Sequence, residues 1–145
     1  MVDREAAKLA AYPSDVDWLA EVNHWRTEAG STPIGENPDL NRGAEQHAEY
    51  LVKNGPRTPS AFMAYIQTLG GEAHSEDPDN PYFTQAGYEA AHGDIAFRCG
   101  TPQVVDGLVE VPFHRLSILA PWMRVAGYGD YGECPVHAAT LVMRG

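Results

Sequence analysis

The sequence predicts an α+β fold in which helices pack on a small antiparallel sheet. Two observations lead to this prediction. Apolar residues recur at helical spacing in several capped segments between the N-terminus and residue 111. Two strand-like runs, 124–131 and 138–144, then follow and are joined across Gly132-Glu133-Cys134-Pro135, as in an antiparallel hairpin.

The length and composition fit one globular domain. The chain has 145 residues, of which 43% are hydrophobic and 21% charged, so we expect a single domain over 1–145 with its core at about 14–144. A formal net charge of −10 argues against a nucleic-acid partner. There is no apolar run of about 18 residues, so no membrane span is expected. No signal peptide is visible, and we expect a monomer or part of a longer chain.

Capping residues and apolar stripes mark the first two helices. Ser14 and Asp17 resemble a capping box, and Gly30 provides a stop for the first helix. Its apolar face comprises Trp18, Leu19, Val22 and Trp25. Asn37 and Pro38 begin the second helix, which ends before Gly55. Its stripe comprises Leu40, Ala44, His47, Ala48 and Leu51, which makes His47 a core histidine rather than a ligand. The tryptophans, Trp18, Trp25 and Trp122, are likewise expected in the core.

The middle of the chain combines a long irregular stretch with short helices. Residues 56–81 are rich in Gly, Pro and Ser, with a helical patch at 61–69, and loops of this size are often functional. Thr84 is placed to cap a third helix through Ala91. Thr101-Pro102 opens a fourth helix that ends before Pro112, with Val104, Val105 and Leu108 on its inner side.

Two histidines in irregular segments suggest a polar cleft. His74 and Glu76 form an H-x-E pair, and residues two apart in an extended segment point the same way. Glu76 is then placed to orient His74 or to join it around a metal ion, although the same residues also suit a solvated turn. His92, beside Gly93, either borders the cleft or ends a helix.

The second histidine, His114, follows Pro112-Phe113. Pro112 fixes the backbone and Phe113 is expected to anchor inward, which would hold His114 in place. The alternative is that His114 caps the preceding helix. Arg115 either takes part in the site or pairs with Asp106 or Glu110.

The two cysteines leave two alternatives. Neither Cys99 nor Cys134 belongs to a C-x-x-C pair, so a thiolate zinc site is not expected. They form one disulfide in an oxidising compartment or remain separate thiols, and we favour the disulfide because both lie in loops flanked by Gly or Pro.

Together these segments resemble the CAP superfamily of cysteine-rich secretory, antigen 5 and pathogenesis-related proteins, in particular its bacterial SCP-like branch. The resemblance covers about residues 16–143. Four blocks carry it in order: Leu19–Arg26 as the L-N-x-x-R helix, Ala44-Glu45-Gln46-His47-Ala48 as the A-x-x-H-A helix, Ala73-His74-Ser75-Glu76 with Asn80–Thr84 as the histidine loop, and Asp106–Gly129 as the P-x-H-R…I-L-x-P…V-G-x-G block.

The resemblance implies an α-β-α sandwich with a groove lined by two histidines and two acids, sometimes holding zinc or another divalent cation. His74 and His114 match the histidines and are the implied metal ligands, whereas Glu76, His92, Asp94 and Arg115 complete the expected ligand-binding set. Where many members have G-E-N, this chain reads His92-Gly93-Asp94, so the usual glutamate is absent and Asp94 is a poor substitute for it. Leu108 replaces a common tryptophan, and Val111 stands where relatives have Ser or Glu. The acidic half of the tetrad is therefore degraded.

Three functions fit these residues. The first is a secreted or cell-envelope binding module whose groove takes an unidentified extracellular ligand, a peptide, glycan or lipid. The second is a metal-dependent hydrolase, in which His74 and His114 hold zinc and Glu76 activates water. The third is a scaffold or adhesion domain without a small ligand. We favour the binding module, because the family has no agreed enzymatic activity.

Overall fold

The computed structural model describes residues 17–145. In that part of the chain the helices are α1 (Trp18–Glu28), α2 (Pro38–Asn54), α3 (Pro59–Leu69), α4 (Gln85–Ala90), α5 (Thr101–Glu110) and α6 (Pro112–Leu119). The strands are β1 (Gly35–Glu36), β2 (Asp94–Ala96), β3 (Val125–Glu133) and β4 (Val136–Arg144). A short 3₁₀ helix, Gly70–His74, follows α3 directly.

Local sequence signals account for the ends of α1 and α2. The N-cap of α1 is Asp17, whose side chain accepts a hydrogen bond from the Leu19 N–H at 2.9 Å. The predicted capping residue, Ser14, lies outside the described residues. Asp17, predicted at the third position of the helix, is instead its N-cap. Gly30, with φ of +77°, follows the end of α1 as predicted. Asn37 caps α2 through the Asp39 N–H at 2.9 Å.

The later helices agree with the predictions except in one segment. Thr84 caps α4 by accepting from the Gly87 N–H at 2.9 Å, and α5 ends before Pro112. Pro112 then begins α6, which the sequence analysis did not predict. A proline suits the first helical turn because its missing N–H would have no partner there. His114 therefore lies in a helix, and His74 ends a 3₁₀ helix, so the prediction of two irregular segments is wrong.

The four strands form one sheet in the order β1-β3-β4-β2. The predicted hairpin is confirmed, since β3 and β4 pair antiparallel, and β2 adds to β4 in the same sense. The first strand, β1, pairs parallel with β3, so the sheet is mixed at that edge. Both edge strands have at most three residues, too few for a periodic pattern, and the sequence analysis did not predict them.

Alternate residues of β4 face two different helical layers. Ala139, Leu141 and Met143 belong to a buried cluster that also contains Val22 of α1, Ile118 of α6 and the apolar side of α5. Ala138 and Val142 point the other way and pack with residues of α2 and α4. Side chains alternate across a strand, so one strand serves both layers. The predicted α-β-α sandwich is confirmed.

Helix α2 lies directly on the backbone of β3. A Cβ atom at Gly127 would overlap Leu40, and one at Gly129 would overlap the backbone of Glu45. Two glycines on the same face of β3 thus let the helix approach the strand more closely than any larger residue allows.

The predicted disulfide joins Cys99, ahead of α5, to Cys134 in the β3–β4 turn, with Cα atoms 5.9 Å apart. Two predicted anchors are wrong: Phe113 is 84% exposed and Trp122 is 65% exposed. Trp18 and Trp25 do pack against the core. No helix within residues 17–145 has the length and apolar character needed to cross a bilayer.

Candidate functional site

The H-x-E loop is fastened to α2 through a fully buried pair, His47 and Glu76. His47 Nδ1 lies 2.8 Å from Glu76 Oε1, and both side chains are completely buried. On its other side, His47 Nε2 lies 2.8 Å from the carbonyl oxygen of Ala73. Tyr50, one turn along the same helix, accepts a hydrogen bond from the Asp77 N–H at 3.0 Å. Positions three apart on α2 therefore hold the loop on both sides of Glu76.

The partners of His47 restrict where its protons lie. A carbonyl oxygen only accepts, so Nε2 carries a proton and donates it to Ala73. Nδ1 then either donates to the Glu76 carboxylate or accepts from its carboxylic acid. In both arrangements the pair is neutral as a whole, which lowers the cost of burying two ionisable groups.

Glu76 uses its second carboxylate oxygen to hold the start of α4. Oε2 accepts a hydrogen bond from the Thr84 N–H at 3.1 Å. The carboxylate thus joins α2, the histidine loop and α4, and its partner is His47 rather than His74. The expectation that Glu76 lines a wall beside His74 is wrong, because its carboxylate is completely buried on His47 and Thr84. The prediction of His47 as a satisfied core histidine is confirmed.

His74 itself is partly exposed and is held by the backbone. Its Nδ1 lies 3.1 Å from the carbonyl oxygen of Ala91, just after α4. Because that oxygen only accepts, Nδ1 donates to it, and in the neutral ring Nε2 is the nitrogen with the lone pair.

His114 is held by Asp94, the first residue of β2. Its Nδ1 lies 2.7 Å from Asp94 Oδ1, with the imidazole 24% and the carboxylate 9% exposed. The alternative that His114 caps α5 does not hold, since it lies in the first turn of α6. Asp94 Oδ2 is buried and has no hydrogen-bond partner among residues 17–145. The contact of Asp94 Oδ1 with Nδ1 fixes the orientation of the His114 ring.

The two histidines share one arrangement and one short segment of chain. Each places Nδ1 on an oxygen acceptor and leaves Nε2 without a partner among the described residues. Their acceptors, the Ala91 carbonyl and the Asp94 carboxylate, are three residues apart, so their Cα atoms lie within about 11 Å. Histidines that bind metals usually have this arrangement, with the second ring nitrogen donated to a carbonyl or carboxylate.

The other predicted site residues lie beside this segment or turn away from it. His92 is exposed between the two acceptors, with its ring 5.9 Å from that of Tyr88. Arg115 donates to the carbonyl oxygens of Val109 at 2.7 Å and Glu110 at 3.1 Å, so it holds the C-terminus of α5. Neither predicted carboxylate partner, that of Asp106 or of Glu110, accepts these bonds.

The metal set proposed for a hydrolase does not assemble. Within residues 17–145, the only His, Cys, Asp or Glu side chains that form a group of three with ligand atoms inside 4.8 Å of one another are Cys99, Cys134 and His137. Glu76 is occupied by His47 and Thr84. His74 and His114 are thus at most a pair of imidazole donors.

One buried cation escaped the sequence analysis. Arg26, in the L-N-x-x-R segment, is fully buried and donates to the carbonyl oxygens of Thr32, Ile118 and Ala120 at 2.6–3.0 Å. It fixes the C-terminal end of α6 against α1, and the same helix carries His114 four residues before Ile118. A charged residue on an otherwise apolar helical face was the available signal.

A family model described as CAP, cysteine-rich secretory protein family, matches residues 19–142. The chain belongs to this family. The match runs from α1 to β4 and so includes all four of the blocks on which the resemblance was based. A search of curated proteins gives no match.

Proposed function

We propose that this CAP domain is an extracellular or cell-envelope binding module whose groove presents His74 and His114 to a ligand. The arrangement of the two imidazoles carries the proposal. Each is fixed through Nδ1, by Ala91 or Asp94, and each offers an Nε2 that has no partner within residues 17–145. Imidazoles that are fixed in this way lose little freedom when they bind, which favours recognition.

A divalent cation such as zinc fits these donors in part. Neutral imidazole nitrogen is a common zinc ligand, and the Asp94–His114 contact is of the type that orients such ligands. Two imidazoles leave coordination positions for the ligand itself. We therefore infer a ligand with oxygen donors, belonging to a peptide, glycan or lipid, that completes the coordination of the metal.

Exposed apolar side chains beside His114 support a binding role. Phe113 is 84% and Leu116 is 70% exposed, and their spacing places them on one side of α6. Large apolar side chains exposed side by side often mark interaction sites. They offer the ligand an apolar surface next to the histidines.

Hydrolysis is the less favoured function. The predicted base, Glu76, has each oxygen on a buried partner and is 2% exposed, so it is not available to a water molecule in the groove. A general base has to lie within hydrogen-bonding reach of the proton it removes.

Two observations support an extracellular or envelope location. The family is described as secretory. Disulfides such as Cys99–Cys134 persist in oxidising compartments.

The proposal is tested by calorimetric titration of the disulfide-intact protein with zinc chloride. We expect saturable binding of one zinc per chain, and its loss in the double variant His74→Ala/His114→Ala. His24→Ala, an exposed histidine on α1, is the matched control and should bind as the wild type does. Circular dichroism checks that each variant is folded.

Glu76→Gln tests whether zinc binding depends on Glu76. Because Glu76 is not a ligand in the proposed site, this variant should retain zinc binding. Absence of binding by the wild type, or binding that survives in the double variant, would overturn the metal-dependent proposal. Loss of binding in a folded Glu76→Gln protein would instead show that Glu76 is a zinc ligand, against the proposed site.

A further inference from the structure

A second group of metal-ligand side chains lies away from the groove, around the disulfide. The Sγ atoms of Cys99 and Cys134 and a ring nitrogen of His137 all lie within 4.8 Å of one another. His137 follows the β3–β4 turn that carries Cys134, and Cys99 comes from the segment before α5. The three residues therefore come from two parts of the fold, the segment before α5 and the β3–β4 hairpin.

His137 has an unsatisfied nitrogen. The residue is 5% exposed, and its Nδ1 is buried without a hydrogen-bond partner among residues 17–145. Its Nε2 lies 3.3 Å from Asp130 Oδ2, from the diagonal position on the neighbouring strand. In the neutral imidazole, a proton on Nε2 facing this carboxylate leaves Nδ1 with a free lone pair. A buried polar atom without a partner has a cost that calls for an explanation.

We propose that Cys99, Cys134 and His137 form a zinc site that exists only when the disulfide is reduced. In the oxidised chain the sulfurs bond to each other and cannot both bind a metal. After reduction, two thiolates and His137 Nδ1 provide the three protein ligands of a tetrahedral site, and water takes the fourth position. Asp130 then orients His137 through Nε2, as outer carboxylates do at histidine ligands.

The reaction balances with a dithiol reductant. The reductant's two thiols give two electrons and two protons to the Cys99–Cys134 bond, which becomes two thiols while the reductant becomes a disulfide. Zinc binding then releases those two protons as the thiolates coordinate. Cys134 is exposed and Cys99 is partly exposed, so the reductant can reach the bond.

The geometry requires only a local change. Zinc–sulfur bonds of about 2.3 Å in a tetrahedral site place the two sulfurs about 3.8 Å apart. Side-chain rotation can supply this separation, because the Cα atoms are 5.9 Å apart. Zinc would thus keep α5 and the hairpin joined when the covalent link is absent. This inference is independent of the proposed groove.

Cobalt is a spectroscopic probe for the test. The protein is reduced with a phosphine and titrated with Co²⁺, in the His74→Ala/His114→Ala background so that the groove does not contribute. We expect a thiolate-to-cobalt charge-transfer band at one Co²⁺ per chain, its removal by excess Zn²⁺, and no band in the oxidised protein. Cys99→Ser/Cys134→Ser should abolish the band.

His137 and Asp130 give the graded part of the test. Asp130→Asn should weaken cobalt binding about 10–100-fold, and His137→Gln should weaken it further. The reduced His74→Ala/His114→Ala protein is the parent for these comparisons. Zinc should also slow the alkylation of both thiols in this parent but not when His137→Gln is added. If the reduced chain unfolds without metal, restoration of its near-ultraviolet circular dichroism by zinc supports the site. The proposal fails if the reduced parent shows no thiolate band, or if His137→Gln binds cobalt as tightly as the parent.

Discussion

Replacement of Glu76 by alanine should destabilise this domain far more than replacement by glutamine. The alanine removes the acceptor for His47 Nδ1 at 2.8 Å and for the Thr84 N–H at 3.1 Å. Hydrogen bonds to a charged group contribute about 1.5–3 kcal/mol each, so we expect the free energy of unfolding to fall by about 3–6 kcal/mol. With a urea m-value of about 2 kcal/mol/M, the midpoint should fall by about 2 M.

Glutamine is expected to restore the network in a neutral form. Its Oε1 can accept from the Thr84 N–H while its Nε2 donates to His47 Nδ1, and His47 Nε2 still donates to Ala73. The loss should then stay below about 1.5 kcal/mol. Glu72→Ala, exposed in the same 3₁₀ helix, is the control and should change stability by less than about 0.5 kcal/mol. Tryptophan fluorescence during urea unfolding measures all three. An alanine variant within 1 kcal/mol of wild type, or a glutamine variant as unstable as the alanine one, would refute this account of the buried pair.

Three further changes test other parts of the fold. Arg26→Met leaves buried carbonyl oxygens without donors and should lower the free energy of unfolding by at least about 3 kcal/mol, measured in urea. Burial, followed by a hydrogen bond and repulsion from Asp106, raises the pKa of Glu21, so its stabilising effect is present below its unfolded pKa and is lost as pH rises through the folded pKa. Glu21→Gln should therefore stabilise the protein by about 1 kcal/mol at pH 7, and this gain should disappear below about pH 4. Thermal unfolding of both proteins at the two pH values measures the difference, and a variant less stable than wild type at pH 7 would contradict this account. Gly129→Ala should cost about 2–3 kcal/mol because its Cβ overlaps the backbone of Glu45, and a melting temperature equal to that of wild type would contradict the close packing.

Much of the fold was accessible from local sequence signals. Asn37, Thr84 and Gly30 act at helix ends as predicted, and the Gly/Pro turn between the two strand-like runs does join a hairpin. These features depend on neighbours within a few residues. The short strands β1 and β2 could not be predicted, because two or three residues show no periodicity and pair only when β3 and β4 are in place.

The candidate site was predicted less well, because its contacts join distant parts of the chain. Nothing in the sequence near Glu76 specifies His47, which lies 29 residues earlier and was correctly placed in the core only by its apolar neighbours. Pro112 was interpreted as a helix end, although a proline equally begins a helix, and this error placed Phe113 inside. The pairing of His114 with Asp94, 20 residues apart in the chain, depends on the tertiary contact between α6 and β2, which no local pattern specifies.

The contact of α2 with Gly127 and Gly129 determines more than the thickness of one layer. It sets the distance of His47 from the sheet through contacts between the main chains of α2 and β3. These contacts do not depend on the rotamers of core side chains. Because His47 contacts Glu76 and Ala73, the position of α2 also determines the position of His74 between them. Substitutions among the apolar core residues should consequently leave His74 in place. A single methyl group added at Gly127 or Gly129 would displace it.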